Sequence, residues 1–229
     1  MTSNKPVVES WSAPGYAESW RKADGLSSML EFPWAIAAAL VKADTSPALI
    51  VDVGSGPGTF LAGFLAAFPE AHGVWIDAAP SMQEQAEATL EPYAGRVEYV
   101  VADAADLAGV EAARGANVVL NSRVAHHFQL ESLFAFYRDV AGLLAPGGWS
   151  ITLDHVLPPD GWDARYREVL PQFAGPNAGK PTHPHYFPFP SVEQHLEGLR
   201  AAGFAESDLA WRAFYSRLFV GRLADGQAV

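Results

Sequence analysis

The sequence predicts an α/β fold of three layers, in which a mainly parallel sheet is covered by helices on both faces. Three observations predict it. Short apolar runs alternate along the chain with longer segments of helical periodicity; the first run opens through closely spaced glycines into a helix; and three runs end at or beside an aspartate. Strands separated by helices cannot form hairpins, so they lie parallel with right-handed crossovers, and a ligand is expected at their carboxyl ends.

Taken in order, residues 1–45 read as an N-terminal helical cap in which Tyr16 and Trp20 share a helix face. From Ala48 the chain reads as a buried first strand that ends in the acid Asp52. Behind it Gly54, Gly56 and Gly58 permit left-handed backbone and a close ligand approach, while the following helix start offers unpaired N–H groups. Phe60, Leu61, Phe64, Leu65 and Phe68 give that helix its apolar stripe. Gly73 to Asp77 is the second strand, and Ser81 with Glu84 predicts a capping box at the start of the next helix.

Val97 to Val101 is the third strand and leads to Asp103; Ala116 to Ser122 is the fourth. Leu130 to Leu144 reads as a helix with Leu133, Phe134, Tyr137, Val140 and Leu144 on one face. Pro146-Gly147-Gly148 predicts a turn before a fifth strand, Trp149 to Leu153. The pattern then breaks from Val156 to Pro190, a proline-dense insertion read as a loop or short helices over the mouth of the pocket. Ser191 and Gln194 form a second capping box for the helix Val192 to Ala202, closed by Gly203, and strands near Asp208–Ala213 and Tyr215–Leu223 complete the sheet. The whole of 46–229 is read as one core domain carrying the insertion at 156–190.

Composition narrows the function classes. The 229 residues are 49% apolar, without a run of uncharged apolar residues long enough for a membrane span, and no secretory signal is read at the start; cytoplasm is the expected location. The absence of cysteine removes disulfides and thiolate metal sites. Fifteen Lys and Arg against 26 Asp and Glu leave a net charge of −11 without a basic cluster, which disfavours a nucleic-acid partner; a monomer or homodimer is expected.

The spacing Asp52-x-Gly54-x-Gly56-x-Gly58 departs from the Gly-x-Gly-x-x-Gly of nicotinamide-dependent oxidoreductases. With Val74-Trp-Ile-Asp77, Val101-Ala-Asp-Ala104, the run Asn117 to Phe128 containing His126-His127, and Leu143-Leu-Ala-Pro-Gly-Gly148, it resembles class I S-adenosylmethionine-dependent methyltransferases of the small-molecule type. The resemblance covers nearly everything from Ala48 to Leu223; Ala125 stands where that family usually has Leu. It implies a Rossmann-like, seven-stranded sheet whose last strand is antiparallel.

It implies further that S-adenosylmethionine binds here and that S-adenosylhomocysteine is released. Asp52 and the loop Gly54, Ser55, Gly56 and Gly58 would meet the methionine end, Asp77 beside Ala78 the ribose, Asp103 and Ala104 the adenine edge, and Met82 the adenine face. Asn121 and Ser122 would border the sulfonium, and Tyr16 would close over the cofactor. An aspartate that ends a strand also serves as a helix cap, and for each of Asp52, Asp77 and Asp103 taken singly that alternative stands. Three of them beside one glycine loop favour a ligand site.

Methyl transfer from a sulfonium needs chiefly positioning, with a base where the acceptor must lose a proton. His126, His127 and His155 are the candidates, with Asp154 adjacent to His155 as an orienting acid should the backbone turn there. Trp20, Arg123, Tyr166, His185 and Tyr186 are candidate acceptor-lining residues; His183 and His185 have metal-like spacing without a third ligand, and no metal is expected. The predicted activity is methylation of oxygen, nitrogen or carbon on a small, partly aromatic metabolite. The alternatives are a non-methylating reaction such as a cyclisation on the same fold and, less favoured, an oxidoreductase or a nucleic-acid methyltransferase.

Overall fold

The computed structural model describes residues 27–174 and 189–226. Tyr16, Trp20, His185 and Tyr186 lie outside the described residues. The chain begins with helix α1, Ser27–Asp44, followed by strand β1, Leu49–Val53, and helix α2, Thr59–Ala67. Strand β2, His72–Asp77, helix α3, Pro80–Thr89, and strand β3, Val97–Val101, repeat the unit. Strand β4, Ala116–Ser122, leads through a 3₁₀ turn at Ala125–His127 into helix α4, Leu130–Leu143, and strand β5, Leu144–His155. Two short helices, α5 at Asp163–Val169 and α6 at Pro171–Ala174, come from the insertion; helix α7, Val192–Ala201, and strands β6, Glu206–Ala213, and β7, Ser216–Arg222, follow.

The seven strands form one sheet in the order β3-β2-β1-β4-β5-β7-β6, parallel from β3 to β5, with β7 antiparallel to both neighbours. This is the predicted three-layer α/β architecture with an antiparallel last strand. Period-two alternation divides the strand side chains between two cores. Val51, Val53, Ile76, Val119 and Phe219 pack under α4 and α7 with Phe136, Tyr137 and Leu199. Ile50, Trp75, Leu120 and Ile151 pack on the other face with Leu30, Phe60, Leu61 and Phe64 of α1 and α2. The helix α1 is tied down at both ends of its length: Trp34 stacks on Phe60 with ring centroids 5.3 Å apart, and Asp44 accepts from Trp149 Nε1 and Arg222 Nε. Among the described residues no helix is long and apolar enough to cross a membrane.

Three local readings are corrected. The capping box at Ser81 and Glu84 does not form: α3 starts earlier, at Pro80, after Ala79 and without a side-chain cap. Proline supplies a pre-set φ at the first helical position and has no N–H to satisfy; the Ala79 N–H is taken instead by Asp77 Oδ1 at 2.8 Å. The turn at Pro146-Gly147-Gly148 is an irregularity inside β5, where pairing with β4 shifts register between Ala116 and Val118 and Gly147 has φ 73°. On α4 the buried phenylalanine is Phe136, 1% exposed, with Phe134 at the margin of the core. The second capping box, Ser191 with Gln194, is present with both reciprocal hydrogen bonds.

Candidate active site

The glycine loop is built by its neighbours. Gly54, Gly56 and Gly58 have φ of 64°, 54° and 78°, a region that costs an L-residue roughly 1–2 kcal/mol. A Cβ on Gly54 would stand 2.3 Å from Cγ2 of Val124, so the loop that follows β4 is seated directly on it; a Cβ on Gly56 would meet nothing within 4 Å. Ser55 N–H donates to the Ile76 carbonyl, Trp75 Nε1 to the Gly56 carbonyl at 2.8 Å, and Gly56 N–H to Asp77 Oδ2 at 2.8 Å. The loop is thereby stapled to the carboxyl end of β2.

The acids divide by environment. Asp52 is 1% exposed, accepts from Ser55 Oγ at 2.7 Å, and is pushed up to about 7 by burial, against the lowering effect of the Ser55 bond. It lies beneath the loop, where it holds Ser55. Asp77 is raised by burial against the lowering effect of the N–H groups of Ala79 and Gly56. Its oxygens accept from backbone N–H groups of Ala79 and Gly56, which ties the turn after β2 to the glycine loop. Asp103 sits half-buried beyond β3 with Oδ1 accepting from Ala105 N–H at 2.9 Å. Ala78 and Ala104 are half-buried, and Met82, 3% exposed, is packed into the α2 and α3 core.

At the ends of β4 and β5 three histidines converge. Asp154, 1% exposed, accepts the backbone N–H of His126 at 2.9 Å on Oδ2, and on Oδ1 meets His126 Nδ1 at 2.5 Å and the His155 backbone N–H at 2.7 Å. His127 lies 3.9 Å from the His126 ring and His155 5.2 Å, ring centroid to centroid. Asp154 therefore orients His126, and the expectation that it would orient the His155 ring is corrected. Asp154 reaches the turn after β4, where it meets the ring and backbone of His126, and it accepts the backbone N–H of His155. Arg123, half-buried with φ 60°, donates its N–H to the Leu153 carbonyl at this same junction.

Sequence reasoning missed a buried polar chain beneath this cluster. Asn121, 0% exposed, donates from Nδ2 to Thr152 Oγ1 at 2.8 Å; Thr152 is bonded to the Tyr137 side chain, and the Tyr137 hydroxyl meets His195 Nδ1 at 2.7 Å. Ser122, at the end of β4, faces the opposite side of the sheet. Polar residues at every second position of an apolar strand, Ser150, Thr152 and Asp154, were the available signal. Burial pushes His195 from its ordinary 6.5 to about 4, and its ring stacks on Phe219 at 4.4 Å.

A pH dependence follows. Between pH 6.5 and about 4 the unfolded chain takes up a proton that folded His195 refuses, so this group's contribution to stability falls as pH falls, by on the order of 3 kcal/mol across the window. Asp52, whose folded value lies above the ordinary 3.8, works in the opposite sense: it loses stabilisation as pH rises toward about 7. Subtracting the His195→Leu stability curve from that of the native chain isolates the histidine. Thermal midpoints of the two measured from pH 4 to 7 are expected to diverge with pH, and parallel curves would refute the assignment.

Tyr166 of α5 is half-buried, with its ring against Phe214 and Tyr215 at 5.5 and 5.6 Å. Among the described residues no three His, Asp or Glu side chains are grouped as metal ligands.

Comparison with known proteins agrees with this geometry. Residues 50–148 match a family model described as a methyltransferase domain. A trans-aconitate 2-methyltransferase of Methylobacterium radiotolerans is 38% identical over 105 residues, which are 45% of this chain and 36% of that protein. Among solved structures, an O-methyltransferase family protein from Burkholderia thailandensis superimposes with a TM-score of 0.67 at 20% identity over 99% of this chain and 66% of that one. Mitomycin 7-O-methyltransferase does so with 0.61 at 23% identity, over 86% and 54%. The match thus spans about a third of the curated relative, and the structures establish a common fold. Glycine loop, strand-end acids and strand order agree with the resemblance to S-adenosylmethionine-dependent methyltransferases, and residues 50–148 match a methyltransferase domain.

Proposed function

We propose that the chain transfers a methyl group to a hydroxyl of a small, partly aromatic metabolite, with His126 as general base. The pairing of His126 Nδ1 with Asp154, beside the glycine loop, carries this reading. The cradle suits S-adenosylmethionine: open space over Gly56, an N-terminus of α2 without a side-chain cap, and the Asp77 carboxylate alongside. Gly54 to Gly58 would hold its methionine end, Asp77 the ribose hydroxyls, and Asp103 with Ala104 the adenine. When bound, the cofactor supplies a methyl on a positively charged sulfur that leaves as a neutral thioether.

The chain's own residues do the rest. Asp154 fixes the His126 tautomer with hydrogen on Nδ1, so Nε2 is the atom that would take up the acceptor's proton. Asp154 then stabilises the imidazolium. His127 and His155 flank that ring as wall and secondary proton acceptors. The acidic balance of the chain supports a small acceptor rather than nucleic acid, and the names of the solved relatives, O-methyltransferases among them, support oxygen as the atom methylated. We read the protein as a cytoplasmic monomer or homodimer.

Incubation with methyl-labelled cofactor and a panel of small hydroxylated acceptors tests the activity. Label is expected in the product; consumption of an acceptor with all label retained in the cofactor would favour the non-methylating alternative. Asp77→Ala is expected to weaken S-adenosylhomocysteine binding by about 1.5–3 kcal/mol, roughly 10- to 150-fold in calorimetry. Unchanged affinity would overturn the placement of the ribose.

A further inference from the structure

The proposed reaction leaves one buried cation unexplained. Arg217 of β7 is 3% exposed and stands directly opposite Asp154 on β5 and Arg212 on β6. Directly opposed residues share a sheet face, so this side chain arises on the face that carries Asp154 and, through it, His126. Its Nη1 donates to the carbonyls of Phe214 at 2.7 Å and Ser216 at 2.9 Å, which closes the β6–β7 turn where Phe214 has φ 50°. The Tyr166 side chain is hydrogen-bonded to the guanidinium.

Two carbonyls and the Tyr166 hydroxyl, all neutral, satisfy hydrogens without balancing charge. Arg217 Nε is buried without a partner among the described residues, and none of their ion pairs includes Arg217. The carboxylate across from it, Asp154, is already engaged by the ring and backbone of His126 and by the His155 N–H. Arg212 opposite adds a second positive charge. An uncompensated buried cation costs several kcal/mol, and arginine cannot shed its proton to avoid that cost.

We propose that Arg217 anchors a carboxylate of the acceptor, so that the substrate is a small aromatic hydroxy acid with its hydroxyl at His126 and its acid group on the guanidinium. This rests on the methyl-transfer reading. The planar fork of arginine matches a carboxylate with two parallel bonds, and one buried cation balances its single charge, whereas a phosphate monoester brings nearly two. β5 and β7 are adjacent, and Asp154, which holds His126, stands directly opposite Arg217, so both groups belong to one face of the sheet. Tyr166, Phe214 and Tyr215 supply an aromatic wall for that ring.

The test is calorimetry on the full chain saturated with S-adenosylhomocysteine, titrated with 4-hydroxybenzoate and 4-hydroxycinnamate and with the neutral amide of each. At least one acid is expected to bind tenfold or more tighter than its amide; Arg217→Met should abolish that preference and Arg217→Lys should keep part of it. Equal affinity of acid and amide, binding of neither acid, or a preference that survives Arg217→Met overturns the proposal; in the last case the guanidinium only ties the turn. Should Arg217→Met fail to fold, the native acid–amide comparison and Arg217→Lys decide. Failure to bind S-adenosylhomocysteine at all would count against the cofactor reading instead, so the two failures are distinguishable.

Discussion

Asp154→Asn is expected to slow methyl transfer about 10²–10⁴-fold while S-adenosylhomocysteine still binds. The carboxylate accepts from the ring and backbone of His126 and from the backbone of His155. An amide of the same shape can present N–H to His126 Nδ1, which moves the ring hydrogen to Nε2 and leaves the lone pair on the wrong side for the acceptor. It also withdraws the negative charge that stabilises the imidazolium. His126→Ala should fall to the same level, and the double variant no further, because the two act as a unit. Single-turnover rates across pH check this: a variant within threefold of the native rate would remove His126 from the role of base and return it to packing.

Gly54→Ala is expected to lower the thermal midpoint by roughly 4–20 °C and to abolish cofactor binding at micromolar concentration. The left-handed φ of 64° costs alanine about 1–2 kcal/mol, and the added methyl would stand 2.3 Å from Cγ2 of Val124, a stiff β-branched side chain held at the junction of β4 and the 3₁₀ turn. Overpacking of that kind adds about 1–3 kcal/mol, and in a domain of this size each kcal/mol shifts the midpoint by about 2–4 °C. Gly56→Ala meets no atom within 4 Å and carries only the backbone cost, so it should be milder in stability. A Gly54→Ala midpoint equal to the native one would show that this loop does not adopt the conformation described.

Most of the architecture was legible because its causes are local. Apolar periodicity placed β3 and β4 at their observed limits, and Ser191 with Gln194 announced the start of α7. Where two local signals competed, the sequence misled: Pro80 and Ser81 both announce a helix start, and proline prevailed because its ring sets φ while the serine hydroxyl must find a donor. Gly147 and Gly148 announce a turn equally well whether the chain reverses or merely kinks within a strand.

The site was legible in part. Asp52, Asp77 and the three glycines are adjacent along the chain to the strands that carry them, so spacing alone located them. The role of Asp154 was assigned to its sequence neighbour His155, whereas its ring partner is His126, 28 residues away. Tyr137 and His195, 58 residues apart, and Arg217 opposite Asp154 gave no sign of their contacts in the sequence.

By itself the sequence determined the layers, the glycine loop and the acids around it, because helical and strand periods and left-handed glycines act over a few residues. Only the tertiary structure decided which histidine Asp154 holds and which cation lies across from it. Those choices depend on strand order and register, which bring distant residues onto one face of the sheet and are set by burial of the whole core rather than by any short stretch of chain.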